Sequence, residues 1–564
     1  MHKNVKIYLI FGLLLNLFSN IVYFYLGFSL AMLFSWLISV FLVGFPFYLG
    51  RNKSPDEILF SKKDYLFILI LLVIFVPLYF WSLYLDPFRV NTDEVLDMFF
   101  VKHLPSQDPF GVSTYAFLPN LQFIFYGSLA NIFGGYNLYS FRIISAATGL
   151  AIVILGYFFF RVFFDKFYAF SATLILGSSH VFILFVRSMY RLTIPILIFF
   201  SLALLIKAVR RGCQFYSFLG GLILGLGYYF YYSGRIIIFL WIIFLLLLGI
   251  TKKIKFDQMI KIGAVSILGF IVIATPILVS NFKTPNQQGD YTKKQLLILK
   301  EGRQEQMVIS RVKSELEAIK LNALDALTSL NLNHGDRSFI YSGNKYGFLD
   351  PFTAVLVWIG IVLILIKKKF GYAELLFVTG FFCLMMVYAF ITNRSPHYAR
   401  MLLLLPSVSF VIVMTLKIVS AGVPKYAFFI FNIFLFLIVS INLLIFLENA
   451  QKQRGKGDVL GWTARYMHEK ADIGNYSFYI ADNSNYPYYY WGGYNLSWFN
   501  GLISNDQKFQ QIKFEDLSNF ILDRPSTLFI PAPLWIELDE KTKSKYSNFK
   551  IYTPDGKLVT IELN

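Results

Sequence analysis

The chain is 564 residues long, 57% hydrophobic and only 15% charged, with a mean hydropathy of +0.59. Soluble globular proteins carry about 25% charged residues, so this composition excludes an ordinary soluble protein and indicates a polytopic membrane protein. The formal net charge of +18 does not indicate nucleic-acid binding. Most basic residues fall in short segments between apolar runs, where they set membrane orientation.

Apolar runs of about 20 residues recur along the chain, and each is long enough to cross a bilayer as a helix. The first run begins like a signal peptide but lacks a clear small-residue cleavage site, so we expect it to be retained. The pattern predicts about 13 spans. They lie near residues 5–26, 28–49, 65–85, 138–160, 168–186, 192–208, 215–231, 236–251, 262–281, 352–366, 371–391, 401–416 and 426–446.

Basic residues follow the even-numbered spans, as Arg51, Lys166 and Lys253 illustrate. The positive-inside rule therefore predicts a cytoplasmic N-terminus. Because the number of predicted crossings is odd, the C-terminus is expected outside the cytoplasm.

The chain divides into three predicted parts. Residues 1–64 form an N-terminal transmembrane hairpin with its cytoplasmic loop, and residues 65–446 form a transmembrane core with outward loops 86–137 and 282–351. After residue 447 the hydropathy falls, and short β-like runs mix with an amphipathic helix near 458–471. This alternation predicts a small α/β domain over 447–564. No internal repeat is visible, so an inverted-repeat transporter is not supported.

Carboxylates cluster in the first outward loop, within "FRVNTDEVLDMFF". Asp93 and Glu94 are adjacent, and Asp97 shares a helical face with Asp93. A carboxylate at a partly dry interface near cations can act as a general base toward a hydroxyl. The alternative is helix N-terminal capping, because acidic residues favour that end of the helix dipole. Arg142, at the start of the fourth span, is a candidate structural partner of these carboxylates.

Cations stand at outward span ends and in outward loops, where the positive-inside rule makes them uncommon. Each alone is better explained as a snorkelling anchor, but together they predict an anion-binding ring. Arginine suits phosphate because its planar fork donates two hydrogen bonds at once. The candidates are Arg187, Arg191, Arg235, His397 and Arg400 at span ends, Lys102 and His103 in the first loop, and His334 and Arg337 in the second, where Asp336 stands beside Arg337 in a turn-rich stretch.

Metal and disulfide chemistry receive little support from the sequence. Cys213 lies in a basic loop and Cys383 within a span, so we expect no pairing and no cysteine metal site. We expect no cofactor, and a divalent ion held by Asp93 and Glu94 is the alternative.

Several motifs occur in an order that resembles the GT-C glycosyltransferases, in particular the bacterial group related to protein O-mannosyltransferases and the aminoarabinose transferase of lipid A. The resemblance runs over about residues 86–410. Its motifs here are "NTDEVLD", "FLPNLQFIFYGSLANIFGG", "FRIISAATGL", "VRSMYR", "GGLILGLGYYFYYSGR" and "SPHYARMLLLLP". The first two spans look like an addition before the family's usual core.

The resemblance implies a GT-C fold and an enzyme of the bacterial inner or plasma membrane. Such an enzyme would transfer a sugar, with inversion, from a polyprenyl-phosphate donor to an extracytoplasmic hydroxyl on a protein, glycan or lipid. Protein glycosylation and lipopolysaccharide modification in the cell envelope are both compatible with it.

The resemblance also implies roles for individual residues. Asp93 matches the family's catalytic carboxylate, and Glu94 would position it or the acceptor. Arg235, His397 and Arg400 match positions that hold the lipid phosphate. Many relatives carry an acidic residue just after the "S-R-x-x-R" motif, but this sequence has Leu192 and Thr193. A two-carboxylate scheme at that position is therefore not expected.

Two other functions stay open at this point. A flippase for lipid-linked sugars would need polar residues through the full membrane depth, whereas the charges here cluster at the outward ends. A non-catalytic envelope polysaccharide assembly protein could use the aromatic run "NYPYYYWGGYNLSW" at 485–498 for sugar stacking, although that run equally suits a seam docking the C-terminal part on the bundle.

Overall fold

The computed structural model describes most of the membrane part of the chain and the central elements of its C-terminal part. The described residues are 3–50, 61–83, 92–103, 108–112, 118–283, 293–332, 346–366, 370–453, 463, 466–467, 470, 476–482, 508–522, 525–546, 550–552 and 558–563.

Helices dominate the described chain. In its first half they are α1 (Lys3–Leu26), α2 (Leu30–Leu49), α3 (Lys62–Phe80), α4 (Thr92–His103), α5 (Asn120–Ile132), α6 (Leu138–Phe160), α7 (Lys166–Ser178), α8 (His180–Ser188), α9 (Tyr190–Phe199), α10 (Ser201–Arg211), α11 (Gln214–Leu226), α12 (Ser233–Ile250) and α13 (Phe256–Lys283). In its second half they are α14 (Lys300–Ser310), α15 (Glu315–Thr328), α16 (Pro351–Ile366), α17 (Tyr372–Met386), α18 (Tyr398–Met401), α19 (Leu405–Ala421), α20 (Ala427–Gln453), α21 (Ala532–Glu537) and α22 (Glu540–Lys545).

Ten helical segments of the described chain are long and apolar enough to cross a membrane, and the bent pair α7–α8 makes an eleventh if it crosses as one. These segments confirm a polytopic helical membrane protein. The predicted count of about 13 is not confirmed, because two predicted spans form short helices. The run at 215–231 contains α11, which has 13 residues, and 352–366 forms α16, which has 16. At 1.5 Å per residue, α11 rises only about 20 Å, less than the apolar thickness of a bilayer.

The predicted span at 168–186 is not one helix. It bends by 64° between α7 and α8, at Ser179. The backbone N–H of His180 is freed by this break, and it donates instead to the side-chain oxygen of Asn442 at 3.1 Å. A partner on α20 therefore stabilises a break inside the apolar bundle, where an unsatisfied backbone group is costly.

Helix α3 is fixed at both ends by buried polar contacts. At its start, the carboxylate of Asp64 accepts from Tyr157 at 2.6 Å and from Arg161 at 2.9 Å. At its end, Arg187 donates to the backbone oxygens of Leu78 at 2.7 Å and of Trp81 at 2.7 Å. Hydrogen bonds therefore hold both ends of α3 against neighbouring helices.

Glycines allow α11 and α13 to pack closely, as small residues do between membrane helices. A Cβ added at Gly221 would lie 2.0 Å from the backbone oxygen of Ser266, and one added at Gly269 would lie 2.4 Å from that of Phe218. The two helix backbones therefore touch over this length.

The described residues of the C-terminal part contain the strands β1 (Ser477–Asp482), β2 (Lys508–Lys513), β3 (Ser526–Pro531), β4 (Lys550–Tyr552) and β5 (Leu558–Leu563). These five strands form a mixed sheet in the order β2-β1-β3-β5-β4. Strand β1 pairs in parallel with β2 and β3, whereas β5 is antiparallel to β3 and β4. The predicted runs "STLFIPA", "FKIYTP" and "KLVTIEL" contain β3, β4 and β5, and "YSFYIA" covers all of β1 except Asp482. Strand β2 was not predicted.

The two faces of this sheet have different neighbours. On β1, Phe478 and Ile480 belong to an apolar cluster that includes α4, α5 and the start of α6. Tyr479 and Ala481 belong to a separate cluster with α21. Because side chains alternate along a strand, one sheet face packs on the helical bundle and the other forms its own core.

The glycine contact gives a stability prediction. Gly221→Ala should lower the stability of the purified protein by about 1–3 kcal/mol, because the added methyl meets a backbone oxygen that cannot rotate away. Gly220→Ala on the same helix is the matched control, since its nearest neighbour is the Leu204 side chain at 3.7 Å. Thermal unfolding of the detergent-solubilised chain measures both. Equal unfolding temperatures for the two variants would contradict the close helix contact.

Candidate functional site

The candidate site is built from segments that pack against α9. Helix α9 packs against α12, whose first turn carries Arg235, and against α18, which carries Arg400. Ile194 of α9 also shares an apolar cluster with Met98 of α4 and with Tyr232, three residues before Arg235. The predicted acidic helix and two of the predicted cations therefore come from segments with a common neighbour.

Helix α4 carries the predicted carboxylates. Asp93 lies in its first turn, and its side chain is outside the part of the chain that the structure describes. Asp97 lies one turn later, and its side chain is buried with only 2% of its surface exposed. The acidic stretch is therefore helical, as the i,i+4 spacing predicted.

Glu94 forms a buried ion pair with Arg142. Nε of Arg142 lies 3.0 Å from one carboxylate oxygen and Nη2 lies 3.3 Å from the other, and Nη1 donates to the backbone oxygen of Leu83 at 3.0 Å. Glu94 is 4% exposed and Arg142 is fully buried. The pair ties α4 to α6, so Glu94 holds the acidic helix in place, while direct contact between Glu94 and an acceptor stays a prediction.

Arg235 lies between two aromatic rings. Its guanidinium carbon is 4.9 Å from the ring centroid of Tyr228 and 4.7 Å from that of Tyr232. The residue is partly exposed as a whole, but Nε and Nη2 are buried and make no hydrogen bond within the described part of the chain. The ring faces attract the cation, yet buried N–H groups without acceptors cost free energy. The arrangement therefore suits an anion that accepts from the guanidinium.

Arg400 joins the turn before α18 to the second outward loop. Its Nη1 donates to the backbone oxygen of Asn393 at 3.0 Å, and its Nη2 donates to the side-chain oxygen of Gln295. His397 is half-buried and lies immediately before α18. These contacts fix the turn that presents His397 and Arg400.

Asn322 organises the same turn from α15. Its side-chain NH₂ donates to the backbone oxygens of Ala389 at 2.9 Å and Thr392 at 3.0 Å, while its side-chain oxygen accepts from the N–H of Ser395 at 2.9 Å. Sequence reasoning missed Asn322, since nothing local marks an asparagine whose partners lie about 70 residues away along the chain.

The other predicted cations have different surroundings. Arg187 donates to backbone oxygens at the end of α3 and lies over the ring of Phe446 at 5.5 Å. These contacts stabilise the end of α3, and phosphate binding by Arg187 stays a prediction. Partial burial lowers the pKa of Lys102. Arg191 and His103 lie on helices, but their side chains fall outside the described residues, as do His334, Asp336 and Arg337 entirely.

Metal binding finds no support among the described residues, which contain no group of three or more His, Cys, Asp or Glu side chains able to hold an ion. The Asp93 side chain is not among them, so an ion on Asp93 and Glu94 stays an untested alternative.

No protein-family profile and no curated protein matches this sequence. Among solved structures, ArnT from Cupriavidus metallidurans bound to undecaprenyl phosphate is similar, with a TM-score of 0.49, 10% identity, and 89% of this chain and 98% of that chain covered. An Archaeoglobus fulgidus oligosaccharyltransferase has a TM-score of 0.48 and 12% identity, with 88% of this chain and 73% of that chain covered.

Both structures belong to the GT-C class that the ordered motifs resemble.

The buried ion pair gives a stability prediction. Glu94→Gln should destabilise the protein by about 3–5 kcal/mol, because it leaves Arg142 charged and buried without its counter-ion. The double variant Glu94→Gln with Arg142→Met should recover part of that loss, since it removes both charges. Thermal unfolding of both purified variants measures this recovery. A Glu94→Gln protein as stable as the parent would show that the pair does not hold α4.

Proposed function

We propose that this protein is a membrane glycosyltransferase that transfers a sugar from a polyprenyl-phosphate donor to an acceptor hydroxyl. The main support for the proposal comes from Arg235. Its buried Nε and Nη2 make no hydrogen bond within the described residues. A guanidinium held between two rings, with N–H groups available, is a suitable partner for a phosphate oxygen.

The leaving group explains why a cation is needed there. When the sugar departs from the carrier, negative charge develops on the phosphate, and a cation already in place stabilises it without reorganisation. Arg235 is oriented in advance by Tyr228 and Tyr232. We assign His397 and Arg400 to the same phosphate site, because α18 and α12 both pack against α9.

Asp93 is the proposed general base. Its carboxylate would take the proton of the acceptor hydroxyl as the acceptor oxygen forms a bond to the anomeric carbon. The bond from that carbon to the phosphate oxygen breaks, and the polyprenyl phosphate leaves with the electron pair. Attack opposite the leaving group inverts the configuration. The ion pair of the neighbouring Glu94 supports this role by fixing α4.

The proposal places this site on the extracytoplasmic side of a bacterial inner or plasma membrane, with the N-terminus in the cytoplasm. Positive-inside asymmetry supports this orientation. The acceptor is a hydroxyl on a protein, glycan or lipid, and no metal takes part in the proposed step.

Replacing the base should stop transfer without unfolding the protein. Asp93→Asn should lower the transfer rate by about 10²–10⁴-fold, since general-base catalysis contributes on this scale. Cells lacking the protein, complemented with the parent or with Asp93→Asn, are compared by mass spectrometry of lipid-linked sugars and glycoconjugates.

The variant should accumulate the lipid-linked donor, lack the product and unfold at the parental temperature. Product formation close to the parental level would rule out Asp93 as the base. A donor that accumulates only on the cytoplasmic side would favour a flippase instead.

Removing the proposed phosphate ligands should weaken binding of a polyprenyl monophosphate. Arg235→Gln and Arg400→Ala should each raise its dissociation constant about 10-fold or more, because a charge-assisted hydrogen bond contributes roughly 1.5–3 kcal/mol. The dissociation constant of Arg235→Lys should lie between those of the parent and Arg235→Gln, since lysine keeps the charge and loses the planar fork.

Native mass spectrometry of the purified chain measures this affinity. Neutral polyprenol is the matched ligand, and it should bind parent and variants equally. Parental affinity of Arg235→Gln for the monophosphate would remove Arg235 from the site.

A further inference from the structure

A cavity lies at the opposite end of the bundle from the candidate site. Its volume is about 600 Å³, and its lining includes Phe163, Arg210, Tyr372, Glu374, Phe410 and Lys417. The membrane segment Tyr398–Ala421 has 24 residues, with Arg400 in its first turn and Lys417 near its end. A helix of this length spans about 36 Å, so the cavity and the candidate site are on opposite membrane faces.

Two exposed cations of this cavity have unused hydrogen-bonding capacity. Arg210 donates through Nη1 to the backbone oxygen of Val162 at 2.8 Å and lies over the ring of Tyr372 at 5.7 Å. Lys417 lies over the ring of Tyr168 at 4.8 Å. Neither has an ion-pair partner in the described part of the chain. Both are held by rings on one side, which leaves donors available to a ligand.

Glu374 also lines the cavity, and its position reduces its effect on an anion. It is the third residue of α17, and its carboxylate lies so close to Gly371 that a Cβ there would be 2.3 Å from its oxygen. The carboxylate therefore lies at the start of its own helix, where the helix dipole favours negative charge. Two cations and one carboxylate leave one surplus positive charge.

We propose that this cavity binds the headgroup of an anionic phospholipid from the adjacent leaflet. Arg210 and Lys417 would take the phosphodiester, and the walls formed by Phe163, Phe410 and Met414 would take the glycerol and the first acyl carbons. The volume suits a headgroup, and basic pockets between the ends of membrane helices are typical of lipid-phosphate recognition. This site is independent of the proposed transferase reaction.

Native mass spectrometry of the full chain tests the site after transfer into nanodiscs that contain phosphatidylglycerol and phosphatidylcholine. The parent should retain phosphatidylglycerol preferentially, and Arg210→Gln with Lys417→Gln should lower that retention about 10-fold. The matched control is Lys255→Gln with Lys425→Gln, which removes two charges at the same membrane face outside the cavity lining. Equal losses in both double variants would overturn the proposal, since general surface charge would then explain retention.

A second variant keeps the test decisive if the first double variant unfolds. Glu374→Gln should increase phosphatidylglycerol retention about two- to three-fold, because a like charge is removed. Unchanged or weaker retention would contradict the site. Inorganic phosphate at millimolar concentration should leave the retained lipid in place, and its displacement would identify free phosphate rather than a lipid as the ligand.

Discussion

The buried ion pair between Glu94 and Arg142 is the interaction on which the candidate site depends. A charge inside an apolar bundle persists only where a counter-charge and further hydrogen bonds compensate its lost hydration. Arg142 has both, through Glu94 and the backbone oxygen of Leu83. Because Asp93 precedes Glu94 in the same helical turn, the pair also sets where the backbone of Asp93 can lie.

Three arginines of the bundle compensate burial in different ways. Arg142 uses a carboxylate, Arg187 uses carbonyl oxygens at the end of α3, and Arg235 uses two aromatic faces. Ring faces attract the charge but accept no strong hydrogen bond, so Arg235 retains donors that the other two have already committed. This difference is the basis for proposing Arg235, rather than Arg142 or Arg187, as the phosphate-binding arginine.

The sequence predicted most of the helical architecture, because hydropathy and charge asymmetry are strong local signals. It predicted α4 as helical from the spacing of Asp93 and Asp97, and Arg142 as a structural partner of the carboxylates. It missed features whose causes are distant along the chain. The break at Ser179 is stabilised by Asn442, which is 262 residues from His180, and no local pattern near 179 reveals it.

The sequence also could not distinguish the surroundings of the individual cations. In the sequence, Arg187 and Arg235 both looked like arginines at outward span ends, and only their three-dimensional neighbours separate them. The aromatic run "YYFYY" before Arg235 was a usable signal, since it supplies both Tyr228 and Tyr232. The lengths of short helices such as α11 were overestimated, because an apolar run continues past the residue where the helix ends.

The two-faced sheet restricts how the C-terminal part can change over evolutionary time. Phe478 and Ile480 face the helical bundle, while Tyr479 and Ala481 face the separate sheet core. Inserting or deleting one residue within β1 would exchange these two sets, whereas a change of two residues would preserve them. Length variation inside this strand should therefore be tolerated only in even steps, even if the loops around it diverge freely.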